Sequence, residues 1–424
     1  MTPTRYRWFI VFLLFTITGV NYIDRAAISY AIPAMQRDLG LSPGNTGTIL
    51  GAFGLGYALT TLFGGFAVDR YGARIMLTVA AILWSLSIGA TALARGFAVL
   101  YAARVLLGVS EGPNFPALTG AVSNWLSPHE RATALANALF AVPLALAVGG
   151  PIVTQLLGWF DWRLTFAALF VLSAVWVPLW YFLFRDDPAD SRFVNALELA
   201  DIRTSDPSVT AAPHATLKSW PEPGVLKRLL TNRTLLANYW AFFVFGYFLF
   251  FFMTWLPSYL ERKYGLNLQT VGLFTVLPWL SAAVLLWLFG RWSDHLLKTT
   301  GRLRIARSYL IAGSQFVAAL AVVPVALTDD LTVAVAASMG ANAAYYAVNV
   351  DIVPHRAATA LGIMDFAFAI AGFLAPAITG WVLALRGSFA DGFLLMTALA
   401  LSSVLVVLLF HHPDQDQETL VPQA

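Results

Sequence analysis

Runs of roughly 20 apolar residues recur from one end of the chain to the other, and each is long enough to cross a hydrocarbon core. This spacing constrains the fold more than any other feature. With 58% of 424 residues hydrophobic and only 12% charged, whole helices are apolar all round and have no polar face to turn to water. A water-soluble domain is excluded on that ground. The net charge of +3 is accounted for by where the basic residues fall, so it is no argument for nucleic-acid binding. Cysteine is absent, which removes disulfides, thiol nucleophiles and cysteine metal sites. The histidines (His129, His214, His295, His355, His411 and His412) fall in loops, at helix ends or in the tail. No metal centre or cofactor is expected, and no intramembrane enzyme. Trp8 to Ile32 reads as a first span rather than a cleaved signal, because it lacks a small-residue cleavage site and contains Asp24-Arg25.

The hydropathy pattern predicts spans near 8–33, 46–68, 74–94, 97–125, 131–156, 162–184, 235–260, 269–290, 306–327, 331–350, 356–384 and 390–410. These predict an all-α membrane protein of twelve helices in two six-helix halves, 1–184 and 235–410, followed by a tail over 411–424. The long connection, 185–234, carries Asp186-Asp187-Pro188 and four further prolines. It reads as a linker with one short amphipathic helix, not as a folded domain. With the N-terminus inside, only six of the 26 Lys and Arg lie outside (Arg37, Arg95, Arg163, Arg262, Lys263 and Arg386), and Arg25 and Arg104 lie within the membrane. The other 18 lie inside, and this positive-inside bias places both termini in the cytoplasm. A weak repeat supports two halves. Gly65-x-x-x-Asp69-Arg70-x-Gly72-x-Arg74 follows the second span, and Gly290-Arg291-Trp292-Ser293-Asp294 follows the eighth.

Ionisable residues at bilayer depth are costly and mark transport pathways. The mid-span positions hold Asp24, Arg25, Arg104, Glu111 and Asp365. Arg25 stays charged and offers a planar fork that fits a carboxylate, so it is the expected anchor for a substrate anion. The alternative is a permanent pair with Asp24, but adjacent helical residues point about 100° apart and pair poorly. Asp24 and Glu111 are the expected proton carriers, since burial and a nearby arginine act on a carboxyl in opposite senses. Arg104 and Glu111 share a helix face about 10 Å apart, which makes Arg104 a tuning partner rather than the anchor. The run Phe248 to Phe252 reads as core and lipid-facing packing.

The loop motif Gly65-x-x-x-Asp69-Arg70-x-Gly72-x-Arg74 resembles that between helices two and three of the major facilitator superfamily. Asn21-Tyr22-Ile23-Asp24-Arg25 in the first span and Arg104 through Ala117 in the fourth resemble the narrower anion:cation symporter family. Thr254-Trp255-Leu256-Pro257 and Ala375-Pro376-Ala377-Ile378-Thr379-Gly380 also fit. The resemblance implies the two-half fold and proton-coupled uptake of an organic anion, with the proton as coupling ion. It further implies that Tyr57, Tyr247, Asn21, Tyr22 and Asn137 line the substrate cavity. Asp69, Arg70 and Arg74, with Asp294 in the second half, would form a latch that closes the cytoplasmic side in one state.

The chain departs from sugar-acid members of that family at Thr61, Phe63, Val142-Pro143, Asp365 and Ala369. Replacing amides by Val and Ala predicts a drier pocket, suited to a less hydroxylated or aromatic carboxylate. Asp365 reads either as a neutral stand-in for asparagine, as a third proton site, or as a partner for a cationic substrate group. The expected protein is a monomeric, multi-pass importer of a small organic anion in a bacterial inner membrane. A proton-driven exporter of drugs or metabolites is the alternative, and Phe63, Val142 and Ala369 lean that way.

Overall fold

Backbone N–H and C=O groups find no water in a bilayer, and a helix satisfies them within one segment. The computed structural model describes residues 2–203, 223–327, 345–352 and 357–420, and among them there are helices and no strand. In chain order, α1 is Tyr6–Leu39, α2 Pro43–Ala92, α3 Phe97–Glu111, α4 Asn114–Trp125, α5 Pro128–Leu139, α6 Ala141–Trp159 and α7 Trp162–Leu183. The linker contributes α8, Ala196–Arg203, and α9, Pro223–Thr231. Then come α10 Arg233–Tyr264, α11 Leu268–Phe274, α12 Val276–Thr300, α13 Tyr309–Leu327 and α14 Tyr345–Ile352. The last three are α15 Ala357–Arg386, α16 Ala390–Phe410 and α17 Pro413–Leu420.

Ten segments among the described residues are long and apolar enough to span a membrane. The second and third expected spans run together in α2, divided at Gly72, whose φ of 80° suits glycine alone. The fourth expected span is broken into α3 and α4 at Gly112-Pro113. Pro113 has no N–H to continue the ladder there, and Gly112 lets the segment pack closely on α2, since a Cβ would lie 2.2 Å from the Thr60 hydroxyl. Most of the tenth expected span, 331–350, lies outside the described residues.

Helices before and after the linker meet along two seams lined by glycine. On one, α2 runs antiparallel to α15, and a Cβ on Gly47, Gly51 or Gly54 would come within 2.2–2.6 Å of the α15 backbone. On the other, Gly150 of α6 and Gly272 of α11 pack so that a Cβ on either would lie 3.0–3.1 Å from the other's carbonyl. Tyr30 Oη, 3.0 Å from Thr275 Oγ1, and Arg262, donating to Gln36 Oε1 at 2.6 Å, add polar ties between the same two parts. These ties gather toward the end of the bundle that holds Leu39, Pro43, Tyr264 and Arg386.

At the opposite end, the linker and tail are bonded into the helices more closely than their composition predicts. Glu198 of α8 is fully buried and accepts from Thr4 Oγ1 (2.6 Å), Tyr6 N–H (3.2 Å) and Arg7 N–H (3.0 Å). It thereby caps α1 with a carboxylate, where the helix dipole favours negative charge. The linker holds a second helix, α9, beyond the single one expected. In the tail, Asp414 accepts from the Leu303 and Arg304 N–H groups at 2.7 and 3.0 Å, capping the turn that opens α13. His411 is fully buried just past the end of α16, with its Nδ1 2.6 Å from Ser308 Oγ.

Burial, with His412 and Arg304 nearby, pushes His411 down to about 3. Its neutral form therefore contributes stability that is complete above the unfolded-state value near 6.5 and is lost as pH falls toward 3. By pH 5 the loss is up to about 2 kcal/mol. Thermal unfolding of the purified protein at pH 7.5 and 5 should show this loss, and His411→Asn should flatten the difference. An identical pH dependence in the variant would contradict the assignment.

Candidate functional site

α1 carries Asn21, Tyr22, Asp24 and Arg25 within little more than one turn, and helical geometry sends the neighbours Asp24 and Arg25 in different directions. Arg25 reaches α3, where its Nε donates to Glu111 Oε2 at 3.0 Å and Nη2 bonds the same oxygen. Both side chains are shut off from solvent. The guanidinium carbon lies 4.5 Å from the Tyr22 ring centre, 4.4 Å from Phe53 and 5.5 Å from Tyr57. A flat cation against aromatic faces is stabilised by the ring quadrupoles, the more so when dry.

Asp24 points instead toward α7, and its Oδ2 accepts from Ser173 Oγ at 2.5 Å. Asp24 is thus not paired with Arg25: the two acids have different hydrogen-bond partners, Ser173 and Arg25, while remaining in electrostatic reach of each other. Arg104 lies with its guanidinium carbon 5.4 Å from the centre of the same Phe53 ring, and its Nε has no hydrogen-bond partner. Glu111 Oε1, Asp24 Oδ1 and both amide atoms of Asn21 are also buried without partners. A buried polar group that is left unpaired is costly and calls for a functional explanation. Several such atoms belong to the residues around the Arg25–Glu111 pair, and others lie elsewhere in the bundle.

The remaining expected residues divide. Tyr57 stacks on Phe53 at 5.6 Å and belongs to the cluster. Asp365 of α15 is half-buried and lies in electrostatic reach of Tyr22 and Tyr57. Tyr247 of α10 is buried, but its neighbours are Phe243 and Thr379, in the second half of the chain. Asn137 is exposed on α5, and none of the cluster's contacts reaches it. Ala369 does not line a drier pocket. It is fully buried in the α2–α15 seam, its carbonyl 2.7 Å from where a Gly54 Cβ would sit. Phe63 is exposed on α2. The run Phe248 to Phe252 packs in the core as expected, and Phe250 extends that packing to Phe53 at 6.2 Å and Phe368 at 5.1 Å.

Only part of the expected latch lies among the described side chains. Arg74 Nε donates to the Tyr181 carbonyl (3.0 Å), its backbone N–H donates to Asp186 Oδ1 (3.0 Å), and its guanidinium covers the Tyr181 ring at 4.4 Å. Arg70 lies over Tyr71 at 5.5 Å. These ties all stay in the first half of the chain. The side chains of Asp69 and Asp294 lie outside the described residues. In the second copy of the motif, Ser293 receives Arg307, which also pairs with Asp351 at 2.9 Å.

Phe53 and Ser173 were not singled out by sequence reasoning, which read Phe250 only as packing and named Asp186 only as part of the linker. A signal existed for Phe53, which stands one helical turn before Tyr57 on the same face. Ser173 and Asp186 gave none, since their roles depend on which helices meet.

Residues 14–345 match the Major Facilitator Superfamily. A hexuronate transporter of Bacillus subtilis (strain 168) is 34% identical over 95% of this chain and 94% of its own. A probable sulfoacetate transporter of Cupriavidus necator is 32% identical over 93% of each. A probable galactarate/D-glucarate transporter of B. subtilis is 31% identical over 97% and 93%. Among solved structures, a bacterial homologue of the human lysosomal transporter Spinster, inward-facing and occupied, superposes with a TM-score of 0.76 over 99% of both chains at 18% identity.

Ser173→Ala would leave both carboxylate oxygens of Asp24 without a protein partner. The expected cost is about 1–3 kcal/mol, read as a lower unfolding temperature in detergent, with Ser173→Thr restoring it. An unchanged melt in Ser173→Ala would show that the bond is immaterial.

Proposed function

Since the chain belongs to the Major Facilitator Superfamily, whose members here are transporters rather than enzymes, we propose that it imports an organic carboxylate together with protons by alternating access. It is a multi-pass inner-membrane protein, and the positive-inside bias supports a topology with both termini in the cytoplasm. The observation that carries the reading is the Arg25–Glu111 pair. One guanidinium, dry and held against three aromatic rings, is occupied by a carboxylate of the protein itself. A substrate carboxylate needs the same fork.

Competition of this kind couples anion to proton. While Glu111 is ionised it holds Arg25, and a second anion entering a low-dielectric site would leave excess negative charge. A proton on Glu111 frees the guanidinium for the substrate. With Glu111 neutral, the halves rock about the midplane site. In this reading the glycine seams close the outer side, the cavity faces the cytoplasm, and loss of the proton lets Glu111 retake Arg25 and expel the anion. The arrangement described above corresponds to that last step. Asp24, bonded to Ser173 apart from the substrate site, serves as a second proton carrier. Arg104, against Phe53, adds positive potential. The Arg74 ties to Tyr181 and Asp186 brace the first half so that it moves as a unit.

The relatives' names put sugar acids among the candidate substrates. The exporter alternative rested on Phe63, Val142 and Ala369, and Ala369 is fully buried in the helix seam, where it cannot line a cavity. In proteoliposomes, an acid exterior should drive uptake of the carboxylate. Arg25→Ala should lower that uptake by about a hundredfold. Glu111→Gln should keep substrate exchange and lose accumulation driven by the pH gradient. Uptake untouched by Arg25→Ala would sink the reading, and efflux driven by external acid would favour the exporter.

A further inference from the structure

The register of the α2–α15 seam fixes what lies opposite Arg25. Moving along the antiparallel pair, Gly47 meets Gly380, Gly51 meets Phe373, and Gly54 meets Ala369 and Gly372. One turn further, where side chains replace glycine, Tyr57 and Thr61 of α2 come opposite Asp365 of α15. Asp365 is half-buried and makes no ion pair or hydrogen bond among the described residues. It lies in electrostatic reach of Tyr57 and Tyr22, the rings that flank Arg25 at 5.5 and 4.5 Å. An acid and a base thus face one pair of tyrosines from opposite halves of the chain.

The wall around Asp365 is aromatic. Phe368, one turn away on α15, stacks on Phe242 and packs on Phe250, both at 5.1 Å. The described lysines and arginines of the second half lie toward helix ends, and Arg307 is committed to Asp351. Arg104 stands on the Arg25 wall, against Phe53. Beside Asp365, then, an incoming ligand meets one carboxylate, two tyrosine hydroxyls and phenyl rings, but no cation among the described residues.

We propose that Asp365 selects for a substrate bearing a single carboxylate, with hydrogen-bond donors, hydroxyl or ammonium, at the end remote from Arg25. The inference rests on Arg25 as the anchor of the first carboxylate. With that end fixed, a second anionic group brought up to Asp365 would place two carboxylates together with no cation beside them, so one would have to take up a proton or be refused. A hydroxyl or ammonium group would instead supply the hydrogen that Asp365 lacks. Of the chemistries named for the relatives, this favours the hexuronate, with one acid group. It disfavours the galactarate/D-glucarate pair and sulfoacetate, which carry an anion at each end.

Competition measured on the full-length protein in proteoliposomes, and thermal shift in detergent, test this with matched probes. These are a hexuronate against the aldarate of equal carbon number, and an ω-hydroxy against an ω-ammonium carboxylate of equal length. The wild type should prefer the hexuronate to the aldarate by about tenfold or more. Asp365→Asn should bring that ratio to within about twofold, because the amide no longer repels an anion. A selective loss of the ammonium probe in Asp365→Asn identifies ammonium as the preferred donor, and loss of both equally identifies hydroxyl. A wild type that takes the aldarate as readily as the hexuronate overturns the proposal without recourse to any variant. So does a ratio unmoved in Asp365→Asn while Arg25→Ala still abolishes competition. Failure of all probes to bind, or competition untouched by Arg25→Ala, would overturn the anchor role of Arg25 instead.

Discussion

A guanidinium and a carboxylate buried together in an apolar bundle leave little freedom to everything around them. Separated from water, neither Arg25 nor Glu111 can lose its partner without cost, and removing one strands the other. A buried pair of this kind contributes little net stability compared with hydrophobic packing, so its presence is better explained by what it does than by what it holds together. Its surroundings agree. The pair sits among aromatic rings that tolerate a cation, beside amide and carboxylate atoms with no bonds of their own. A well-satisfied structural pair would have its remaining acceptors occupied.

The glycine seams serve the same end by a different route. Rigid-body rocking needs surfaces that pack closely in one state and separate cleanly in another. Glycine against backbone carbonyl gives close contact through many weak attractions and no interlocking side chains. Along α2 such contacts extend to Gly54, one turn before Tyr57, so the seam ends beside the Arg25 cluster. Ala369 illustrates the coupling of packing to chemistry: its small side chain serves the seam.

The long-range order of the chain was legible from hydropathy alone, because a bilayer imposes length and apolarity on each span separately. The identity of the buried charges was legible for the same reason. Their partners were not. Asp24 and Arg25 are adjacent in sequence, and only the placement of α3 and α7 determines that one meets Glu111 and the other Ser173. The loop motif announced its basic residues, yet not that Arg74 would be tied to Asp186 across more than a hundred residues of chain. Residues such as Tyr247 and Asn137 were placed by resemblance, and resemblance transfers position along a helix better than it transfers the direction a side chain takes.

The capping of α1 by Glu198 has a consequence for how the two halves are joined. A connection of some fifty residues would ordinarily act as one long tether, but its first part is bonded to the start of the chain through Thr4, Tyr6 and Arg7. The linker up to Arg203 is thus fastened to the first half. This makes 204–222 the natural place to divide the chain, since a cut there leaves α1 its carboxylate cap and α10 its own N-cap, Asn232, whose side chain accepts from Leu235. Two separately made pieces would each carry the groups that finish their helices, and their reunion would depend on the glycine seams and on the Tyr30–Thr275 and Arg262–Gln36 ties beside them.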